Sequence, residues 1–222
     1  MEQNVILVET VPLEFDLESL GCRLRIRPGQ TKFMDRLSRL AEEAVRVARP
    51  KAVARLCGLT ILDEENVQVG EVTFSSPLLR QKMDGLGRAF PYLASEGTEL
   101  ADWSLSLSSS LEQVFASALR EVAVQQAENL LERTLLERYG IAQVSAMNPG
   151  SLKVWSLEEQ VPLFELLAPL PEKLGVTLLP SLMMRPEYSV SGVFFQTDSK
   201  FYNCQLCPKK ECPNRRTPSL VT

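Results

Sequence analysis

The stretch from Leu174 to Phe201, LGVTLLPSLMMRPEYSVSGVFFQTDSKF, constrains this chain more than any other. Apolar residues alternate with small or polar ones through Val176, Leu178, Leu182 and Met184, and again through Val190, Val193 and Phe195. A period of two is the signature of extended chain with one side buried. Between the two pieces stand Pro186 and the small residues Ser189, Ser191 and Gly192, which bend the backbone. The spacing predicts a tight two-strand unit. Periodicity alone favours a rigid core hairpin; the small side chains would also let a ligand approach the backbone.

The remainder alternates between helix and strand patterns. Val5 to Val8 reads as a short strand, and Cys22 to Arg27 alternates cleanly until Pro28-Gly29, predicting another. Thr31 caps a predicted helix whose apolar side is Phe33, Leu37, Leu40, Ala41, Ala44 and Ala48, ended by Pro50. Lys51 to Cys57 reads as a second helical piece closing at Gly58. Strands from Leu59 to Leu62 and from Val67 to Phe74 flank the acidic turn Asp63 to Asn66. Pro77 opens a helix after Ser76, residues 86–95 return as a strand, and Gly97 marks a turn.

The longest helix runs from about Ser110 to Tyr139, with Leu119, Val122, Ala123, Ala127, Leu130 and Leu131 on its packed side. Glu121, Gln125, Glu128 and Glu132 share the polar side, so periodicity alone makes Glu128 a solvated residue. Ile141 to Ser145 is a predicted strand. Ser156 and Glu159 form a capping-box pattern for a helix packing through Val161, Phe164 and Leu167, which Pro169 and Pro171 end. Helix and strand patterns thus share the chain, with no internal repeat and no obvious linker before residue 200.

Composition excludes several functions. The 222 residues contain no histidine, which removes Ser-His and Cys-His nucleophile pairs and an imidazole base. A net charge of −4 without a basic cluster argues against nucleic-acid binding. Neither a membrane span nor a signal peptide is legible, so a cytoplasmic protein is expected.

Gly175-Val176-Thr177-Leu178, Ser181, Met184, Pro186, Ser189-Val190-Ser191-Gly192, Phe195 and Ser199-Lys200 stand in one ungapped run. That run resembles the end of the reactivation domain of cobalamin-dependent methionine synthase, which reads GVTLTES..M.P..SVSG..F....SKY. Weaker similarity extends upstream through Leu163 to Leu167 and Glu128 to Arg133, so that the resemblance covers roughly residues 110–202. It implies an α+β fold, a twisted, mainly antiparallel sheet with flanking helices, in a domain over residues 1–202, followed by a tail of residues 203–222 that the family does not have.

The resemblance also implies a site for S-adenosylmethionine. Glu128 aligns with a glutamate at that site, where a carboxylate accepts hydrogen bonds from an amine or ribose hydroxyl and counters the sulfonium charge. Met147, Asn148, Pro149, Gly150 and Ser151 correspond to the loop along the nucleotide. Ser189, Ser191, Gly192 and Phe201 would shape the rest. The family carries an arginine four residues before a Gly-Tyr-Pro triplet, and that arginine grips the methionyl carboxylate. Here Gly150 matches, but Ala146 replaces the arginine and Ser151 the tyrosine. Losing such a contact typically costs about 1.5–3 kcal/mol, roughly one to two decades in affinity.

Cys204, Cys207 and Cys212 lie in the tail as CxxC plus a third cysteine, a spacing suited to zinc or an iron–sulfur cluster, with Cys22 or Cys57 available as a fourth ligand. A thiol pair tuned by Lys209 and Lys210, or simply reduced cysteines, fits the same residues. The implied function is a free-standing reactivation subunit for a corrinoid methyltransferase or methionine synthase. It supports reductive methylation of cob(II)alamin with S-adenosylmethionine, the cobalamin being carried by a partner because this chain has no histidine for cobalt. A flavodoxin or ferredoxin would be the electron donor. The competing expectations are a metal or iron–sulfur accessory protein that delivers electrons without S-adenosylmethionine, and an interaction module without chemistry.

Overall fold

The computed structural model describes residues 4–209, 211–212 and 215–220; Lys210 lies outside them. Strand β6 (Arg88–Ser95) is the centre of an eight-stranded antiparallel sheet and is buried from Ala89 to Ser95. On one edge it pairs with β2 (Lys51–Arg55), Val53 facing Leu93, and with β3 (Cys57–Ile61), Cys57 facing Ala89. On the other it pairs with β10 (Ser189–Gln196) along six residues, from Ser189 opposite Ser95 to Phe194 opposite Phe90. Outside these lie β1 (Val5–Val8) against β2 and β7 (Val144–Met147) against β10, while β4 (Asn66–Val69) and β5 (Val72–Ser75) extend from β3.

Side chains alternate across this sheet, and both faces are covered. Ala52, Ala54, Phe90, Tyr92, Ala94 and Phe194 pack against Ala127, Leu131 and Leu135 of α5 (Ser110–Tyr139). Val53, Leu93, Val193 and Phe195 point the other way, toward Trp155 and the apolar side of α6 (Gln160–Leu167). Burying each large side chain contributes about 1.5–3 kcal/mol. A third cluster joins α1 (Leu17–Arg23), α2 (Thr31–Val47) and α4 (Thr98–Ser106) to the first half of α5. No helix among the described residues is long and apolar enough to cross a membrane.

Helix α5 spans about 45 Å at 1.5 Å per residue and lies on the sheet through small residues at four-residue spacing, Ala123 and Ala127, continued by Leu131 and Leu135. A buried ion pair ties it down. Arg120 donates from Nε and Nη2 to the two carboxylate oxygens of Glu96, each at 2.7 Å, and Glu96 is wholly buried just beyond β6. Glu96 also accepts from the Tyr188 backbone N–H at 3.3 Å, and the Arg120 guanidinium lies 4.5 Å from the centre of the Tyr188 ring. Burial pushes the Glu96 carboxyl up, against the opposing pull of Arg120.

Several sequence-based expectations change. The 174–201 stretch is not one hairpin. Its first half forms the small pair β8 (Thr177–Leu178) and β9 (Met184–Arg185), and its second half is β10 in the main sheet. Residues 51–55 are strand, not helix, because Ala52, Val53 and Ala54 are buried on both sides and show no polar side to either periodicity. Cys22 and Arg23 close α1, and the alternating arginines belong to its exit turn. Ser156 makes no cap hydrogen bond; Glu159 instead accepts from the Ser75 backbone N–H at 3.2 Å. Val161 is exposed, and Leu163, Leu166 and Leu167 carry the packing of α6.

Two consequences can be measured. Arg120→Met, leaving Glu96 buried without its partner, lowers unfolding stability by about 3–5 kcal/mol, while adding Glu96→Leu recovers most of the loss; urea denaturation of both variants reads this. Burial raises the Cys57 thiol to about 11. At pH 8 only about a thousandth of it is thiolate, so Cys57 resists iodoacetamide in the native protein while the exposed Cys22 is alkylated, as peptide mass spectrometry would show.

Candidate functional site

Tyr92 points from the centre of the sheet toward α5, and its hydroxyl has no route to water. It is wholly buried and stacked on Phe194 with ring centres 3.9 Å apart. Its hydroxyl donates to Glu128 Oε1 at 2.7 Å and accepts from Asn148 Nδ2 at 2.7 Å. Asn148 Nδ2 also donates to the Ser191 carbonyl at 2.9 Å, and Asn203 Nδ2 donates to Asn148 Oδ1 at 3.0 Å. Burial, and then the adjacent Glu128 carboxylate, hold the Tyr92 phenol well above its usual pKa, so it remains a donor. Glu128 is therefore no freely solvated helix residue: its side chain is 13% exposed and oriented from below.

Glu128 opens into a cleft of about 210 Å³. Helix α5 supplies Glu128 and Glu132, β7 and the residue after it supply Ala146 and Asn148, and β10 supplies Val190 and Phe194. The remaining wall is Lys200 to Cys204 with Arg216. Lys200 pairs with Glu132, and Arg216 Nη2 stands 3.5 Å from Glu128 Oε2. Phe201 is anchored by its backbone N–H, which donates to Ser145 Oγ at 2.7 Å.

The strands can come this close because Gly192 has no side chain. A Cβ there would press on the Met147 carbonyl and lie 2.6 Å from Asn148 Nδ2 and 2.9 Å from Tyr92 Cε1. Beyond Asn148 the chain turns with Gly150 at φ +75°, the Gly150 N–H bonding the Trp155 carbonyl at 2.9 Å. Trp155, wholly buried and edge-on to Phe74, anchors that turn in the core.

Of the residues singled out from sequence, Glu128, Asn148, Phe201 and Cys204 line the cleft together. Met147 is buried beneath it, opposite Val193. Pro149, Gly150 and Ser151 form the adjoining turn, with Gly150 and Ser151 exposed. Ser189 donates to the Pro186 carbonyl at 2.8 Å, and Ser191 is buried with its hydroxyl 3.3 Å from Gln160 Oε1; neither lines the cleft. Tyr92, Asn203 and Arg216 carry no sequence signal for this site, although Tyr92 sits at a recognisable strand position; Glu132 and Lys200 fall in the stretches that resemble the family but are not singled out for the site.

Cys204, Cys207 and Cys212 are free thiols, each half-buried. Among the described residues, no three histidine, cysteine or acidic side chains come together as a ligand set. Their segment is held by main-chain contacts instead: Arg215 Nη1 donates to the Cys204 carbonyl at 2.7 Å and Nη2 to the Cys207 carbonyl at 3.2 Å.

No protein-family profile matches this sequence, and no curated protein is significantly similar to it. Among solved structures, the crystal structure of the MetH reactivation domain bound to AdoHcy superimposes with a TM-score of 0.61 and 17% identity. The match covers 89% of this chain and 80% of that one. The chain has the fold of that reactivation domain.

Tyr92→Phe keeps the stacked ring but leaves Glu128 Oε1 and one Asn148 hydrogen without their partner. We expect a loss of about 1–3 kcal/mol in a urea titration, with an unchanged denaturant slope.

Proposed function

We propose that this chain binds S-adenosylmethionine and its product AdoHcy at the Glu128 cleft and serves the reactivation of a corrinoid methyltransferase or methionine synthase carried on another polypeptide. The observation that carries this reading is the placement of Glu128: a carboxylate fixed by a buried tyrosine at the mouth of a mixed-charge cleft. The shared fold supports it, as does the run from Gly175 to Lys200 that resembles the family's own.

The residues present suit part of such a ligand. A cleft of about 210 Å³ is below the roughly 300–1,000 Å³ of small-molecule sites, so it takes one end of the ligand and leaves the rest along the open side. Glu128 accepts hydrogen bonds from the ligand's ammonium or hydroxyl groups and balances positive charge. Asn148 and Tyr92 hold that carboxylate at one angle, and the Asn148–Ser191 contact keeps the floor rigid. When bound, S-adenosylmethionine supplies the methyl group for the reduced corrinoid. This chain positions it and contributes no nucleophile of its own.

On this reading residues 1–202 are the reactivation-like unit and residues 203–222 a tail from which Asn203, Cys204 and Arg216 line the cleft, the chain acting in the cytoplasm beside a corrinoid protein and a flavodoxin-like or ferredoxin-like donor. No step is assigned to the tail cysteines.

Calorimetric titration with S-adenosylmethionine and AdoHcy, with and without a corrinoid protein, tests the proposal. Saturable binding that Glu128→Gln weakens by about ten- to a hundredfold supports it. No binding under either condition overturns it.

A further inference from the structure

The cleft presents two acids, Glu128 and Glu132, and two cations, Lys200 and Arg216. Ala146, facing the same space from β7, contributes only a methyl group. The two ion pairs are not equivalent. Lys200 closes tightly on Glu132, whereas Arg216 reaches Glu128 only at 3.5 Å, outside the usual 2.7–3.2 Å of a formed hydrogen bond. Arg216 is also 42% exposed against 13% for Glu128, so this pair spans the opening with room between its members.

The position of Arg216 follows from its neighbour. Arg215 turns back on the tail, donating to the Cys204 and Thr217 carbonyls at 2.7 and 3.2 Å, to the Cys207 carbonyl at 3.2 Å and to the Lys209 carbonyl. Ser219 Oγ also bonds the Cys207 carbonyl at 3.2 Å, and the Leu220 N–H bonds the Gln205 carbonyl at 2.7 Å. The segment closes around the Arg215 guanidinium, and the next side chain is delivered over Glu128.

Resting on the assignment of the cleft to S-adenosylmethionine, we propose that Arg216 is its carboxylate-binding residue, and that Glu128 and Arg216 together read the ammonium and carboxylate of an α-amino acid end group. In such a group the two charges sit on one carbon, so the ammonium donates to Glu128 while the carboxylate accepts from the planar guanidinium, which offers two parallel N–H groups. One long contact is exchanged for two charge-assisted ones. The site remains neutral as water leaves, and the end group suits a cleft too small for the whole nucleoside.

The test titrates the full chain and its Arg216→Gln and Arg216→Lys variants with AdoHcy, with 5′-methylthioadenosine, which lacks the amino-acid end, and with free L-methionine. We expect Arg216→Gln to weaken AdoHcy about ten- to a hundredfold and leave methylthioadenosine unchanged, with Arg216→Lys recovering part of the loss. Equal AdoHcy affinity in the parent and Arg216→Gln proteins overturns the role of Arg216 and leaves the nucleotide site standing. If the parent chain binds neither nucleoside, the nucleotide reading has failed, and chemical-shift titration with L-methionine decides. Shifts in the parent that are lost in Arg216→Gln sustain the amino-acid assignment, and their absence overturns it too.

Discussion

Arg120 enters the packed side of the long helix with a full charge and meets Glu96 where the central strand ends. Taking both ions out of water costs several kcal/mol each, and their two-pronged contact, the Tyr188 N–H and ring, and the Glu187 carboxylate 3.9 Å from Arg120 Nη1 offset that cost. Three segments distant in sequence therefore have one permitted arrangement: the end of β6, Arg120 as the eleventh residue of α5 with its neighbours, and the approach to β10. Glu128 lies eight residues beyond Arg120 on the same helix, about 12 Å along its axis. With the helix pinned at Arg120 and seated on Ala123 and Ala127, its carboxylate has little freedom to rotate away from Tyr92.

The cleft is composite, and its parts differ in rigidity. Tyr92, Phe194 and Gly192 belong to paired strands inside the core, and they fix Glu128 and Asn148 from below. Lys200 and Arg216 come from outside the sheet on long side chains. Acids on a rigid helix facing cations on an irregular segment let the positive side adapt to a ligand while the negative side holds its geometry. The orphaned acceptor Asn203 Oδ1, buried without a hydrogen-bond partner among the described residues, belongs to the adaptable wall.

How much of this was legible varied with the range of the forces involved. Helix α5 was readable because its small and apolar residues recur at helical spacing. The centre of the sheet was harder: β2 is buried on both sides, so Ala52, Val53 and Ala54 offer no polar alternation to identify a strand. The expected pairing within 174–201 failed because the partner of β10 is β6, ninety-four residues away at Ser189 and Ser95. Glu96 stands beside the turn that Gly97 marks, and nothing local singles it out, since its partner lies twenty-four residues downstream. Glu128 looked solvated for the same reason: Tyr92 and Arg216, thirty-six and eighty-eight residues away, give it a setting that helical periodicity does not register. The family resemblance singled out Glu128 without supplying those neighbours.

The pairing of β6 with β10 also sets an order of events during synthesis. When the chain has left the ribosome through residue 188, β1 to β6 and the long helix are available, yet the buried strand β6 still has one open edge. β7 has emerged too, but its partner in the sheet is β10. An unpaired, flat and hydrophobic edge is a template for pairing with another chain, and contacts this distant in sequence form slowly. The late arrival of one eight-residue strand thus closes the sheet and joins its last neighbour in a single event, making the nascent chain most vulnerable to aggregation just before it is complete through β10.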